Sequence, residues 1–343
     1  MPNLIRRVML RALTRRTVTI DNRHPARPNL RLEALEDRTV PAVYNVYAID
    51  AANGVNSGKV FVDDVETVLP SAYDPSDVPT PPPANNYTLI NDAFAALLDD
   101  NDDVIVLHGT FDWSTGAAFD SWALGSDGKA DTFDEYSIYV QADLNNVTIT
   151  AGAPVNGVYG AIIKGPGDIP EVNAEGFLYF GIDEPGTNQD WTISNLQIEG
   201  FDGAIQMYNF DEGSPDAYSG TMITNNKIIV PADVDSEDDD EGNVGILVGF
   251  GTDQTIQNNT ILIAGTGTSG ETTFAASSGI EIQFQNVTVV GAVYDNLDID
   301  SNTIRVTGAH DKTSPALVIG VVDNSHASGS NIGTAQELGV AAV

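Results

Sequence analysis

Much of this chain runs in short bursts in which apolar residues alternate with polar ones, each burst closed by Asn, Asp or Gly. Period-two alternation puts every second side chain on one buried face, which predicts strands. From about Phe177 to Val322 the bursts form a repeated phrase: a strand, a turn, a second short strand, Asn, and a third strand. One copy reads Gly245-Ile246-Leu247-Val248, then Thr255-Ile256-Gln257-Asn258-Asn259-Thr260-Ile261-Leu262-Ile263. Another reads Gly279-Ile280-Glu281-Ile282, then Leu297-Asp298-Ile299-Asp300-Ser301-Asn302-Thr303-Ile304-Arg305-Val306. Earlier copies hold Thr221-Met222-Ile223-Thr224-Asn225-Asn226-Lys227-Ile228-Ile229-Val230 and Trp191-Thr192-Ile193-Ser194-Asn195-Leu196-Gln197-Ile198.

Taking Asn195, Asn226, Asn259 and Asn302 as equivalent gives intervals of 31, 33 and 43 residues. The differences fall in the loops Asp233–Asn243, Gly265–Ser278 and Gln283–Asp295. Stacked strands tolerate such inserts, so the pattern predicts an all-β solenoid. Asn suits the bend between the second and third strands, because it accepts a left-handed backbone and its amide bonds locally. Stacked Asn side chains also form ladders. The competing reading is a β-sandwich whose turns happen to carry Asn-Asn pairs.

The remaining segments fit around this repeat. Tyr44-Asn45-Val46-Tyr47 and Lys59-Val60-Phe61-Val62 read as two strands about an Asn53-Gly54 turn. Residues 70–86 are a Pro-rich loop. Thr88 to Leu98 carries Ile90, Ala93, Phe94 and Leu97 at helical spacing, with Asp92 expected in the first turn. Val104-Ile105-Val106-Leu107 is a strand ending in Gly109-Thr110-Phe111. Residues 112–135 are an insertion, and strands resume at Ile138-Tyr139-Val140, Asn145–Ile149 and Ala161–Gly165. No second helical pattern alternates with the strands, which argues against a βαβ fold.

The helix followed by Asp103-Val104-Ile105-Val106-Leu107 and Gly109-Thr110-Phe111 resembles the opening of right-handed parallel β-helix proteins of the pectate-lyase-like superfamily. The resemblance implies a β-helix over residues 87–322 with a short N-terminal capping helix, after strands and the Pro-rich loop over 43–86. It also implies a structural role at the bend for the four Asn. Ala316–Val322 begins a further turn. Either residues 323–343 fold over it as an irregular tail, or this chain is the N-terminal part of a longer protein.

Charge is divided along the sequence. Residues 1–41 hold nine Arg and four acids, a net of +5, and the remainder holds six basic and 45 acidic residues, a net of −39. A body this acidic repels phosphate, which excludes nucleic acid as a partner. No apolar run reaches the ~18 residues of a membrane span. Cysteine is absent, so disulfides and thiolate metal sites are excluded. Within the basic leader, Arg31-Leu32-Glu33-Ala34-Leu35-Glu36-Asp37-Arg38-Thr39-Val40-Pro41-Ala42 resembles the N-terminal export or sorting segment of planctomycete surface proteins. That resemblance implies an extracellular or cell-surface location, with residues 1–42 disordered or cleaved near Ala42.

Candidate chemistry is sparse. The superfamily includes polysaccharide lyases and glycosidases, and its polygalacturonase motifs are missing here. Lys227, Arg305 and Lys312 are the cations of the repeat region, and His310 beside Asp311 lies in a loop. The resemblance therefore leaves no catalytic residue to name. Aromatic stacking of a neutral sugar would fall to Trp113, Trp122, Trp191 or Tyr208, although cap or core packing is the commoner use of each such residue. Asp235, Glu237, Asp239 and Glu241, in the acidic run 233–243, are candidate Ca²⁺ ligands, although the spacing is not that of an EF-hand. The expected function is a non-catalytic structural or adhesive module whose partners are polysaccharide or other surface proteins. The alternative is a carbohydrate-active enzyme or a polysaccharide-binding protein.

Overall fold

Runs of Ile, Val and Thr favour the pleated backbone because their branched side chains pack well on it, and Asn, Asp and Gly between the runs supply the bends. The computed structural model describes residues 41–69, 85–97, 102–113, 138–140, 144–165, 167, 176–182, 187–201, 203–209, 216–231, 243–264, 278–284, 294–307 and 317–321. The chain divides into two units, Met1–Thr39 and Val40–Val343, and every described residue belongs to the second. The Arg-rich leader through residue 40, most of the Pro-rich loop and residues 323–343 lie outside the described residues.

Strands β1 (Val43–Tyr47), β2 (Val60–Val62) and β3 (Val65–Thr67) precede helix α1 (Asn86–Ala95). Then come β4 (Val104–Asp112), β5 (Ile138–Tyr139), β6 (Thr148–Thr150), β7 (Ala161–Lys164) and β8 (Leu178–Ile182). The next stretch gives β9 (Thr192–Ser194), β10 (Leu196–Glu199) and β11 (Gly203–Asn209), followed by β12 (Met222–Thr224), β13 (Lys227–Val230) and β14 (Val244–Val248). The short β15 (Gly251–Thr252) leads into β16 (Thr255–Gln257), β17 (Thr260–Ala264) and β18 (Ser278–Phe284). Last are β19 (Tyr294–Asp295), β20 (Asp298–Asp300), β21 (Thr303–Thr307) and β22 (Leu317–Val321).

The fold is predominantly β, and nearly all of its pairing is parallel. Each strand pairs with its counterpart one repeat away. One series runs β4-β6-β9-β12-β16-β20, a second β4-β7-β10-β13-β17-β21, and a third β5-β8-β11-β14-β18-β22. In-register pairing stacks like on like. Ile105, Ile149, Ile193, Ile223, Ile256 and Ile299 form one buried column. Phe111, Ile163, Ile198, Ile228 and Ile261 form a second, which the half-buried Ile304 continues. Ile138, Leu178, Ile205, Ile246 and Ile280 form a third. Burying each such side chain contributes roughly 1.5–3 kcal/mol.

Two details differ from the sequence expectation. The helix runs Asn86–Ala95 rather than from Thr88, because Asn85 caps it: its side chain accepts from the Thr88 N–H while the Thr88 hydroxyl accepts from the Asn85 N–H, a reciprocal capping box. Asp92 therefore lies beyond the first turn. Strand β4 (Val104–Asp112) covers the expected run through Phe111, but it bends at Gly109, which the sequence reading did not foresee. Its Val104–Val106 pair with β6, and its Gly109–Asp112 pair with β7, so one strand serves two sheets. Gly109 makes this bend at φ 91°, and a Cβ there would collide with the Asn53 amide.

At the front, β1 lies parallel to β4, and β2 and β3 add to it antiparallel. Tyr44 sits in register with Ile105 and is itself buried, so β1 prolongs the first Ile column. Helix α1 docks beside it. The Tyr44 hydroxyl donates to the Ala96 carbonyl, Ile49 N–H donates to Asn86 Oδ1, and the Phe94 ring lies parallel to Trp191 at 6.2 Å.

Truncation of Ile223 to Ala, in the middle of a column and fully buried, is expected to destabilise the fold by roughly 2–5 kcal/mol. Its outward neighbour Met222, 43% exposed, should tolerate Ala within about 0.5 kcal/mol. Urea unfolding of the two variants measures the contrast.

Candidate functional site

Turns are set by residues that accept a left-handed backbone, and they occur in two columns. Two residues before each strand of the first series stand Asp102, Asn146, Asp190, Gly220, Asp253 and Asn296, with φ of 54°, 59°, 57°, 73°, 56° and 59°. One residue after the strand stand Asn195, Asn225, Asn258 and Ser301, with φ of 61°, 56°, 57° and 56°. Asn, Asp and Gly take this conformation at least cost. The first column escaped the sequence reading. Its signal was an Asn, Asp or Gly three residues before each core Ile.

The four Asn taken as equivalent thus hold two different roles. Register aligns Gln197 with Lys227, which places Asn195 opposite Asn225 and Leu196 opposite Asn226. Asn195 is a left-handed corner residue, whereas Asn226, Asn259 and Asn302 lie one position further on, where the side chain turns inward. Their amides form a ladder. Asn226 Oδ1 accepts from Leu196 N–H at 3.0 Å, Asn259 Oδ1 from Asn226 N–H at 2.9 Å, and Asn302 Oδ1 from Asn259 N–H at 3.0 Å. The Nδ2 groups of the same three donate to the carbonyls of Ile193, Ile223 and Ile256 at 2.9, 2.8 and 2.7 Å. Asn226 and Asn259 also donate along the ladder, to Asn259 and Asn302 Oδ1. Each amide thereby satisfies main-chain groups that the corner leaves without a strand partner.

On the outward side the first series carries Val104 and Val106, Thr148 and Thr150, Thr192 and the largely covered Ser194, Met222 and Thr224, Thr255 and Gln257, then Asp298 and Asp300. The hydroxyls bond across turns: Thr150 and Ser194 share a hydrogen at 2.9 Å, and Asn195 Nδ2 donates to Thr150 at 3.3 Å. On the second series Lys164, Lys227 and Arg305 all face outward. Lys164 lies 3.5 Å from Glu199, Lys227 donates to Gln197 Oε1 at 3.3 Å, and Arg305 is exposed. Arg305 sits two positions along from the Lys227 row, separated from Lys164 by Glu199, Ile229 and Leu262.

The aromatic candidates separate as well. Trp113 and Trp191 are fully buried, Trp113 edge-on to Tyr87 and Phe201 and Trp191 donating from Nε1 to the Leu144 carbonyl. Neither offers a face to a sugar. Trp122, His310, Asp311 and Lys312 lie outside the described residues, as do the candidate Ca²⁺ ligands Asp235, Glu237, Asp239 and Glu241, and nothing is described of the Tyr208 side chain. Among the described residues no three His, Asp or Glu come together in a set that could hold a metal.

One polar cluster was not anticipated. His108 stacks on Tyr47 at 4.3 Å with the rings 10° apart, and its Nε2 lies 3.0 Å from Asn45 Oδ1. Phe61 meets Tyr47 edge-on from the next strand. Burial lowers the His108 pKa, because the imidazolium is poorly hydrated there. Nearby, Asp50 accepts from the main-chain N–H groups of Ala52 and Thr110, and these bonds hold its carboxyl below the usual carboxylate range.

The division of Asn roles is expected to show in substitutions. Asn195→Gly should be close to neutral, because its conformation is what matters. Asn259→Gly should cost several times more, since each buried group left unpaired costs roughly 1–3 kcal/mol. Calorimetric melting of the two proteins reads the difference. For His108, the unfolded chain takes up a proton at higher pH than the folded one, so stability falls as pH drops through the imidazole range. Replacing it by Gln should flatten that part of a stability-versus-pH curve measured by urea unfolding.

No family model, no curated protein and no solved structure matches this chain.

Proposed function

We propose that residues 87–322 wind as a right-handed parallel β-helix, and that the chain is an exported or cell-surface protein acting as a non-catalytic structural or adhesive module. The observation that carries this reading is the in-register repetition itself. Three parallel series built from equivalent strands, with Ile over Ile and Asn over Asn, specify a regular surface rather than a unique concave site. Outward positions of the first series hold mainly hydroxyl and amide side chains, which bind by hydrogen bonding and supply neither acid nor base near neutral pH. The Arg-rich segment with its Leu-Glu pattern supports export.

Polysaccharide binding is the second reading. It is favoured by the column Thr150, Ser194, Thr224 and Gln257, whose donors and acceptors repeat at the ~4.8 Å spacing of paired strands.

Two measurements test these readings. Protease treatment of intact cells with immunodetection is expected to remove the protein, and a fully protected pool would sink the surface assignment. Incubation with a panel of neutral and acidic polysaccharides is expected to release no reducing ends. Release from any of them would replace the module with an enzyme, and retention on an insoluble polysaccharide without release would favour the second reading.

A further inference from the structure

In an Asn-Gly pair the side-chain amide can react with its own main chain, because glycine's missing Cβ leaves the next nitrogen open and its backbone free to turn. The sequence holds two such pairs, Asn53-Gly54 and Asn156-Gly157, each followed by valine. Their intrinsic chemistry is therefore alike. The fold gives them opposite surroundings.

Asn156-Gly157 is the tip of a hairpin in the connection between β6 and β7. Val155 and Val158 bridge antiparallel, each N–H donating to the other's carbonyl at 3.0 Å. The two residues between them have φ of 53° and 77°, the pattern of a type I′ turn. Val155 and Val158 are each 69% exposed, and Asn156 and Gly157 are exposed as well. Among the described residues nothing bonds to the Asn156 amide or to the Gly157 N–H, and a Cβ on Gly157 would meet no atom within 4 Å. A two-stranded hairpin is marginal by itself, so this one opens at little cost.

Asn53 is tied down. Its Nδ2 donates to the carbonyls of Ala48 and His108 at 2.9 and 3.1 Å, and its N–H donates to the Asp50 carbonyl at 3.0 Å. The same amide packs against Gly109, where an added Cβ would collide with it. The nitrogen that deamidation must expel is thus the one joining the chain after β1 to β4. A carboxylate in its place would set its oxygens against two carbonyl oxygens, with both bonds lost.

We propose that Asn156 is a site of spontaneous deamidation and that the fold protects Asn53 from the same reaction. Once the hairpin opens, hydroxide takes the Gly157 main-chain proton and the nitrogen attacks Asn156 Cγ. A Cγ–N bond forms, the Cγ–Nδ2 bond breaks, and Nδ2 leaves as ammonia with a proton from water, closing a five-membered succinimide. Water then opens the ring. Attack at the side-chain carbonyl gives aspartate, and attack at the main-chain carbonyl gives isoaspartate. Aspartate keeps the turn, since it too accepts a left-handed backbone. Isoaspartate adds a methylene to the main chain and takes Val155 and Val158 out of register. Either product adds a negative charge to the exposed tip.

Peptide mapping by mass spectrometry tests this on the full chain, after incubation in warm, mildly alkaline buffer with one sample folded and one in denaturant. Far-ultraviolet circular dichroism confirms the state of each. In the folded sample the peptide holding Asn156 is expected to gain one mass unit and to separate into aspartate and isoaspartate forms. Asn53 is expected to react roughly tenfold or more slowly, because two hydrogen bonds must open first. In denaturant the two sites should react at similar rates. A folded protein in which Asn156 reacts no faster than Asn53 overturns the proposal. So does a difference that persists in denaturant, because flanking sequence rather than the fold would then set it.

Discussion

Parallel strands paired in register leave no freedom in what stacks on what: every side chain lies about one strand spacing from its own equivalent. The composition of the repeat follows from that constraint. A column tolerates Ile on Ile because branched aliphatic side chains fill the interval and exclude water. It tolerates Asn on Asn because the amide is both donor and acceptor, so identical groups satisfy one another. It does not tolerate repeated charge without salt or a partner. The cations of the second series stand accordingly beside Glu199 and Gln197 or at the far edge, never over one another.

The corners meet a second constraint. A strand of three residues cannot turn sharply with every residue in the β region, and a left-handed residue before each strand of the first series, with another after β9, β12, β16 and β20, provides the turn. That conformation strips the neighbouring main chain of strand partners, and the inward Asn one position later restores them. Conformation and hydrogen bonding are thus assigned to adjacent residues. Where Leu196 replaces the Asn, its N–H still takes its bond from Asn226 in the next turn. The ladder is directional, each amide serving the turn before it, so it can begin without an Asn.

Strands, columns and helix were legible because they depend on periodicity, which a sequence displays directly. The corner residues were legible only as a type. Asn195 reads the same as Asn226 by its neighbours, and strand register alone shows that one bends the chain while the other bonds it. The bend of β4 was hidden for a related reason: Gly109 lay within one expected strand, and only the register shows that it turns that strand from one sheet into a second. Trp113 and Trp191 stayed open between core packing and sugar platforms, because aromatic residues serve equally in both. Burial depends on α1 and the neighbouring turns, which no local pattern encodes. His108 and Asp50 were illegible, since their partners Tyr47, Asn45 and Thr110 come from pairing between β1 and β4 and from the loop beside it.

The shared strand has a mechanical side. Because β4 carries hydrogen bonds of the first series before Gly109 and of the second after it, the two faces are joined there by unbroken backbone within one strand. Sliding one face along the other would have to shear both ladders at once. In the later repeats the two series are separate strands, joined by two residues between β12 and β13, β16 and β17, and β20 and β21. The two faces are therefore tied most directly where β4 rounds its corner, and only through short corners in the repeats that follow.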